Sequence, residues 1–238
     1  MIKKHEEIWK SAKWLEQGRL LISGFEDFPL DLSIGLILRH SKRNEPSLWD
    51  ENQNMELTEE GMEIARLFGT KLPETKRIIL FHSGVNRCRE TAEKIHDGFT
   101  EIGGKSTLKG ECSILRGIGL DPKVFIEELK KYSLINVIKR WINGLYPEDK
   151  WPSFTSYCKR AANIIWPFIE KQKKNIITIF VTHDLHSIIL RYGWFGFQLD
   201  MRGINYLGGF AFIFDRDSLK VLDYGMVKTA KFPYYWKQ

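Results

Sequence analysis

Apolar residues in this chain fall into two kinds of pattern. Ile34–Leu38 and Ile176–Val181 are short, almost unbroken apolar runs, and Arg77–Phe81 is another after its first residue. Runs of that length flanked by polar residues predict strands buried on both faces. Between them apolar residues recur every three or four positions, which predicts helices. One covers 59–71, with Thr58 as N-cap and Pro73 closing it, and another covers 87–102, ended by Gly103-Gly104. Others are predicted at 121–143 (two helices), 154–173 and 185–192. The charge run Lys171–Lys174 reads as a solvated helix end, where cations suit the dipole.

An amphipathic helix is predicted over 5–17, with Ile8, Trp9, Ala12 and Leu15 on one side and Gly18 as its stop. Packing against the domain is its expected use, ahead of lying on a membrane. A short strand is predicted within 106–116, and a surface crossing at Gly144–Pro152. Residues 208–215 and 219–224 read as an antiparallel pair around a turn at 216–218. Strands alternating with helices of ten or more residues imply a sheet covered on both faces. The expected fold class is α/β, a three-layer αβα sandwich with a mostly parallel central sheet. The expected organisation is a single domain over 1–238, with an N-terminal helical extension at 1–30 and a helical insertion at 117–152 that is a candidate lid.

Composition narrows the classes. No apolar run approaches the ~20 residues of a membrane span. The net charge of +6 is spread along the chain. It fits a solvated basic surface, or a basic cleft for an anionic small molecule, better than a nucleic-acid patch. Three cysteines without a CxxC pair point to a reducing compartment rather than a disulfide framework or thiolate zinc site. Met1–Lys4 is followed by His5, Glu6 and Glu7 rather than an apolar segment, so no secretory signal is expected, and the expected location is the cytoplasm.

Three predicted strands end in polar clusters: Arg39-His40-Ser41-Lys42-Arg43, His82-Ser83 leading to Arg87, and Thr182-His183-Asp184. In sheets of this kind ligands bind beyond the carboxyl ends of the strands. Arginines in such a cluster offer rigid forks of donors to a multiply charged oxyanion. Histidine can attack phosphorus, and a carboxyl group can protonate the leaving oxygen. The residues therefore point to phosphoryl transfer through a phosphohistidine. His183, His186 and Asp184 read poorly as a metal cluster, and no metal or other cofactor is expected. Arg89 reads as an ordinary surface residue. Trp141, Tyr146 and Trp151 read either as a lid or as packing.

In order and spacing these blocks resemble the histidine phosphatase superfamily, which includes phosphoglycerate mutases, acid phosphatases and phytases. Its opening Arg-His-Gly-x-Arg is approximated by Arg39, His40, Ser41, Lys42 and Arg43, with Ser41 where the family has Gly. Its Leu-Thr-x-x-Gly helix start is matched by Leu57, Thr58 and Gly61, and its Ser-x-x-x-Arg-x-x-x-Thr-Ala segment by Ser83, Arg87, Thr91 and Ala92. Its late histidine is matched by His183. The resemblance spans about 33–225, less part of 117–152. It implies that His40 is the phosphorylated nucleophile, with Arg39, Arg43, Arg87 and His183 around the phosphoryl oxygens. One branch takes its proton donor from a Glu after the second arginine block, and Leu115-Arg116-Gly117 offers no carboxylate there. The acid phosphatase branch uses a His-Asp pair, which implies Asp184, with Glu111 as second choice. Ser41, His82, Ser83, Glu111 and His186 are candidate substrate contacts. The activity implied is a metal-independent phosphomonoesterase on a phosphorylated, small-molecule substrate. Its alternatives are a phosphomutase and a non-catalytic phospho-ligand binding protein.

Overall fold

The computed structural model describes residues 2–29, 31–45, 55–74, 76–172, 175–199 and 203–236. Helices α1 (Ile2–Ser11) and α2 (Glu16–Gly24) come first, followed by β1 (Ile34–Arg39), α3 (Glu59–Thr70), β2 (Arg77–His82), α4 (Asn86–Glu101) and β3 (Lys105–Glu111). Then come α5 (Pro122–Leu129), α6 (Leu134–Ile142), α7 (Phe154–Ile165), α8 (Pro167–Glu170), β4 (Ile176–Thr182) and α9 (Asp184–Phe195). The chain closes with β5 (Gly209–Asp215), β6 (Ser218–Asp223) and β7 (Met226–Lys231).

These strands form one sheet in the order β3-β2-β4-β1-β5-β6-β7. The first four in that order pair in parallel, and β5, β6 and β7 continue the sheet antiparallel. The α/β sandwich is as expected, and its antiparallel part is one strand longer. β7 went unread because only Ala230 of Met226–Lys231 is buried, so the segment lacks an apolar run. Its hairpin turns at Tyr224 and Gly225, both with positive φ, the geometry of a two-residue connection between twisted strands.

Alternation along the strands splits the interior in two. Leu36, Leu38, Ile78, Leu80, Ile177 and Ile179 face a core closed by Trp9, Leu21, Ile64, Phe68, Ile95 and Phe99 from α1 to α4. Ile37, Phe81, Phe180, Phe210 and Phe212 face the other, closed by Tyr157, Ile165, Ile169, Ile189 and Trp194 from α7 to α9. Each face of β1 is covered, hence its unbroken apolar run.

Two helix predictions need correcting. The N-terminal helix is two: Ala12 is extended (ψ 126°), a 3-10 turn follows at Lys13–Leu15, and α2 starts at Glu16. Gly18 lies inside α2, not at a stop, where it allows the helix to approach Leu207. The helix predicted over 154–173 breaks near Pro167, which has no N–H to continue the ladder of α7. Residues 173 and 174, the end of the predicted charge run, lie outside the described residues.

Candidate active site

Register brings the polar clusters together. β4 lies between β1 and β2, with Arg39 opposite Thr182 and His82 opposite Val181. Beyond the strands, His40 N–H donates to the Thr182 carbonyl (2.9 Å) and Ser83 N–H to that of Val181 (3.1 Å). The three strand ends therefore leave the sheet at one level, and the ring centroids of His40 and His183 lie 5.6 Å apart.

His40 is buried, His183 is half-buried, and both are held in definite tautomers. His40 Nδ1 lies 2.7 Å from the Ser41 carbonyl, which only accepts, so Nδ1 carries the proton. Nε2 is then the lone pair, and it accepts from Arg87 Nε at 3.1 Å. Burial, with the charges of Arg39, Arg87 and Arg43, pushes the His40 pKa well below that of free imidazole. His183 Nδ1 accepts from Arg87 Nη2 (3.2 Å), leaving Nε2–H to donate to Ser83 Oγ (3.1 Å). Its pKa is also pushed well below the ordinary value, by burial first and then by neighbouring His186, His40, Arg87 and Arg39.

The arginines converge from different elements. Arg87 sits in the first turn of α4, buried, and spans both imidazoles. Arg39 ends β1: Nη1 donates to the Ile204 carbonyl (2.5 Å), Nη2 lies 3.4 Å from Asp184 Oδ2, and the guanidinium stacks 4.2 Å over the Tyr206 ring. Arg39 Nε is buried without a hydrogen-bond partner among the described residues. Arg43 lies 3.6 Å from Glu45.

Residues 36–204 match the family model described as histidine phosphatase superfamily, branch 1. The chain belongs to the histidine phosphatase superfamily. Comparison with curated proteins found no match. Among solved structures, phosphoglycerate mutase from Bacillus anthracis is 18% identical with a TM-score of 0.52, the alignment covering 85% of this chain and 94% of that one. A mycobacterial glucosyl-3-phosphoglycerate phosphatase is 13% identical with a TM-score of 0.53, covering 83% and 96%. Phosphoserine phosphatase from Entamoeba histolytica is 18% identical with a TM-score of 0.50, covering 86% and 98%. At these identities the likeness is one of fold.

Within this superfamily the chain departs from the motif at Ser41, and the backbone accommodates the change. Ser41 is not among the residues with positive φ, and its hydroxyl turns away from the site to the Gly61 carbonyl (2.7 Å). Its N–H donates to Thr91 Oγ1 (3.0 Å), which locks the loop after β1 to α4. The close approach falls instead on Gly61, where a Cβ would sit 2.0 Å from the Lys42 carbonyl oxygen.

The remaining candidates divide. Both Asp184 oxygens are engaged, one with Arg39 and the other accepting from Leu185 N–H at 2.8 Å. Glu111 ends β3 opposite His82, packs its carboxylate against Gly84, and comes only within 4.0 Å of Arg116. His82 Nδ1 accepts from Gly84 N–H (3.0 Å), and burial lowers its pKa. His186 lies behind His183, its ring nitrogens buried without hydrogen-bond partners among the described residues, and burial pulls its pKa down to about 4. Arg89 is exposed, 3.9 Å from Glu93. In the insertion, Trp141 and Trp151 are buried in the core and Tyr146 stacks on Trp151 at 4.1 Å.

Sequence reading missed Tyr206, whose ring lies 5.6 Å from that of His40. It is an aromatic in a loop with no motif around it, so no local signal could have found it. Among the described residues no group of three or more His, Cys, Asp and Glu is arranged to hold a metal ion, and no helix is long and apolar enough to cross a membrane.

Proposed function

We propose that this protein hydrolyses phosphate monoesters through a phosphohistidine at His40. The observation that carries the reading is the unprotonated His40 Nε2, facing a second neutral imidazole amid Arg39, Arg43 and Arg87. A base kept neutral by its surroundings is a nucleophile at neutral pH. The guanidinium groups compensate charge on the three equatorial oxygens of the transferring group, where phosphoryl transfer needs it most. The unpartnered Arg39 Nε supplies a further buried donor for an oxyanion. Nε2 attacks phosphorus as the P–O bond to the leaving group breaks. Water then attacks the phosphohistidine, releasing inorganic phosphate and restoring Nε2.

The leaving oxygen needs a proton. Between the two carboxylates, Glu111 is favoured because Asp184 already uses both oxygens as acceptors. Asp184 then acts by orienting Arg39. The substrates named in two fold relatives, phosphoserine and glucosyl-3-phosphoglycerate, are small phosphate esters, which supports a small phosphorylated substrate here.

An aryl phosphate assay without added metal tests the mechanism. His40→Ala should lose turnover by at least about a thousandfold while retaining the fold, and turnover surviving that substitution would end the proposal. Glu111→Gln should slow esters with poor leaving groups far more than activated aryl esters. If Asp184→Asn shows that selectivity instead, the donor is Asp184. Phosphoryl return to a second substrate in place of release to water would identify a mutase.

A further inference from the structure

Residues 203–207 cross the mouth of the site between α9 and β5 with no helix or strand of their own. Their backbone is nonetheless tied to β1: Leu207 N–H donates to the Arg39 carbonyl (3.2 Å), and Arg39 N–H donates to that of Gly208 (2.8 Å). The Ile204 carbonyl receives Arg39 Nη1, and the Tyr206 ring lies under the same guanidinium. This stretch therefore shares with Asp184 in setting where the charge of Arg39 sits.

The stretch is gripped from both sides. Ile204 packs its side chain with Ile135, Ile138 and Ile188, from α6 and α9. The polar grip comes from the N-terminal helices. Gln17, only 8% exposed, donates from Nε2 to the Gly203 carbonyl (3.1 Å) and accepts at Oε1 from Asn205 N–H (2.8 Å). One side-chain amide thus holds the two residues flanking Ile204. Trp14 adds an edge contact to Tyr206 at 6.0 Å, and a Cβ on Gly18 would lie 3.1 Å from the Leu207 carbonyl oxygen.

We infer that Gln17 is a positioning residue for Arg39, so that helices outside the family match at 36–204 complete the phosphoryl site through the 203–207 backbone. The inference rests on the reading of His40 and Arg39 as that site. Removing the amide leaves the part-buried Asn205 N–H without its acceptor and the Gly203 carbonyl with only the longer bond from Tyr224 (3.3 Å), a cost relieved if the stretch moves and takes Ile204 with it. The charged and titratable groups facing His40 are Arg39, Arg43, Arg87 and His183, with the Tyr206 ring beside them. Displacing Arg39 removes one cation from that set and makes the imidazolium easier to form.

The full-length protein is compared with Gln17→Met, Arg39→Ala and the double variant. His40 is titrated by NMR of its imidazole nitrogens, and turnover is measured on an aryl phosphate. Gln17→Met should move His40 protonation to higher pH and lower kcat/KM roughly tenfold, with little further change when added to Arg39→Ala. A purely structural role would lower Tm, leave the His40 titration in place and multiply its loss onto that of Arg39→Ala. That outcome overturns the inference. If Gln17→Met does not fold, Gln17→Glu keeps the acceptor for Asn205 and loses the donor to Gly203; because its charge acts on His40 directly, it is judged by kcat/KM alone, where a loss that adds in full to that of Arg39→Ala overturns the inference. Absence of turnover in the unmodified protein, with the His40 titration still responding to Gln17→Met, would sink the phosphatase reading and leave the positioning role standing.

Discussion

The carbonyl of Ser41 accepts a hydrogen bond from His40 Nδ1, and that one contact leaves the ring's lone pair on Nε2. His40 and His183 stay neutral because burial and the surrounding arginines make a further positive charge costly. His186 shares the burial, with no hydrogen-bond partner for either ring nitrogen among the described residues. Each folded-state pKa lies below the unfolded value of 6.5, so the unfolded chain binds protons that the native rings refuse. The stability involved is fully present above about pH 6.5 and is lost as pH falls below it. His186→Leu should make the protein less acid-sensitive, removing about 2 kcal/mol of the loss between neutral pH and pH 5. Urea unfolding of both proteins at the two pH values checks this, and identical pH slopes would contradict it. The arginines and histidines of the candidate site were legible as residues because each sits beside a strand end or a helix start. Gln17 and Tyr206 were not, since nothing near either in sequence marks a polar or aromatic residue as part of a site.

Helix α4 carries Arg87 and Thr91 to the loop after β1, and small residues bring it close to α3. A Cβ at Gly98 would lie 1.9 Å from the Arg66 carbonyl oxygen, and one at Gly69 would lie 2.4 Å from that of Ile95. Alanine in a helix interior gains about 1 kcal/mol over glycine from propensity alone. Here the backbone contact outweighs it, because the two helices must separate. Gly98→Ala should therefore destabilise the protein by roughly 2 kcal/mol and lower kcat/KM as Arg87 shifts, read from thermal unfolding and steady-state kinetics. An unchanged or raised Tm would show that the helices part at little cost. Most elements were legible within one or two residues because their apolar periods are strong. The N-terminal helix was misjudged because continuous amphipathic spacing does not show that Ala12 turns extended.

Across the whole molecule, the parallel half of the sheet presents the candidate site, and the antiparallel half is joined to it by the β1–β5 pairing and by an ion pair from α9. Arg191 of α9 forms a bidentate pair with Asp223 of β6 (2.6 and 2.8 Å), and Lys228 of β7 reaches the same carboxylate at 2.6 Å. Asp223 and Arg191 are buried, so Asp223→Asn leaves two cations without their counter-charge. It should cost about 3–5 kcal/mol in unfolding free energy. A loss under about 1 kcal/mol would mean that the pair merely offsets its own desolvation. What the sequence by itself determined was the alternation of strands and helices and the chemistry at the strand ends, because both are written in short-range spacing. Only the tertiary structure decided that β4 lies between β1 and β2, which ring nitrogen of His40 keeps its lone pair, and that the N-terminal helices brace Arg39. Those depend on contacts between residues far apart in the chain, and no local period or motif encodes a contact of that kind.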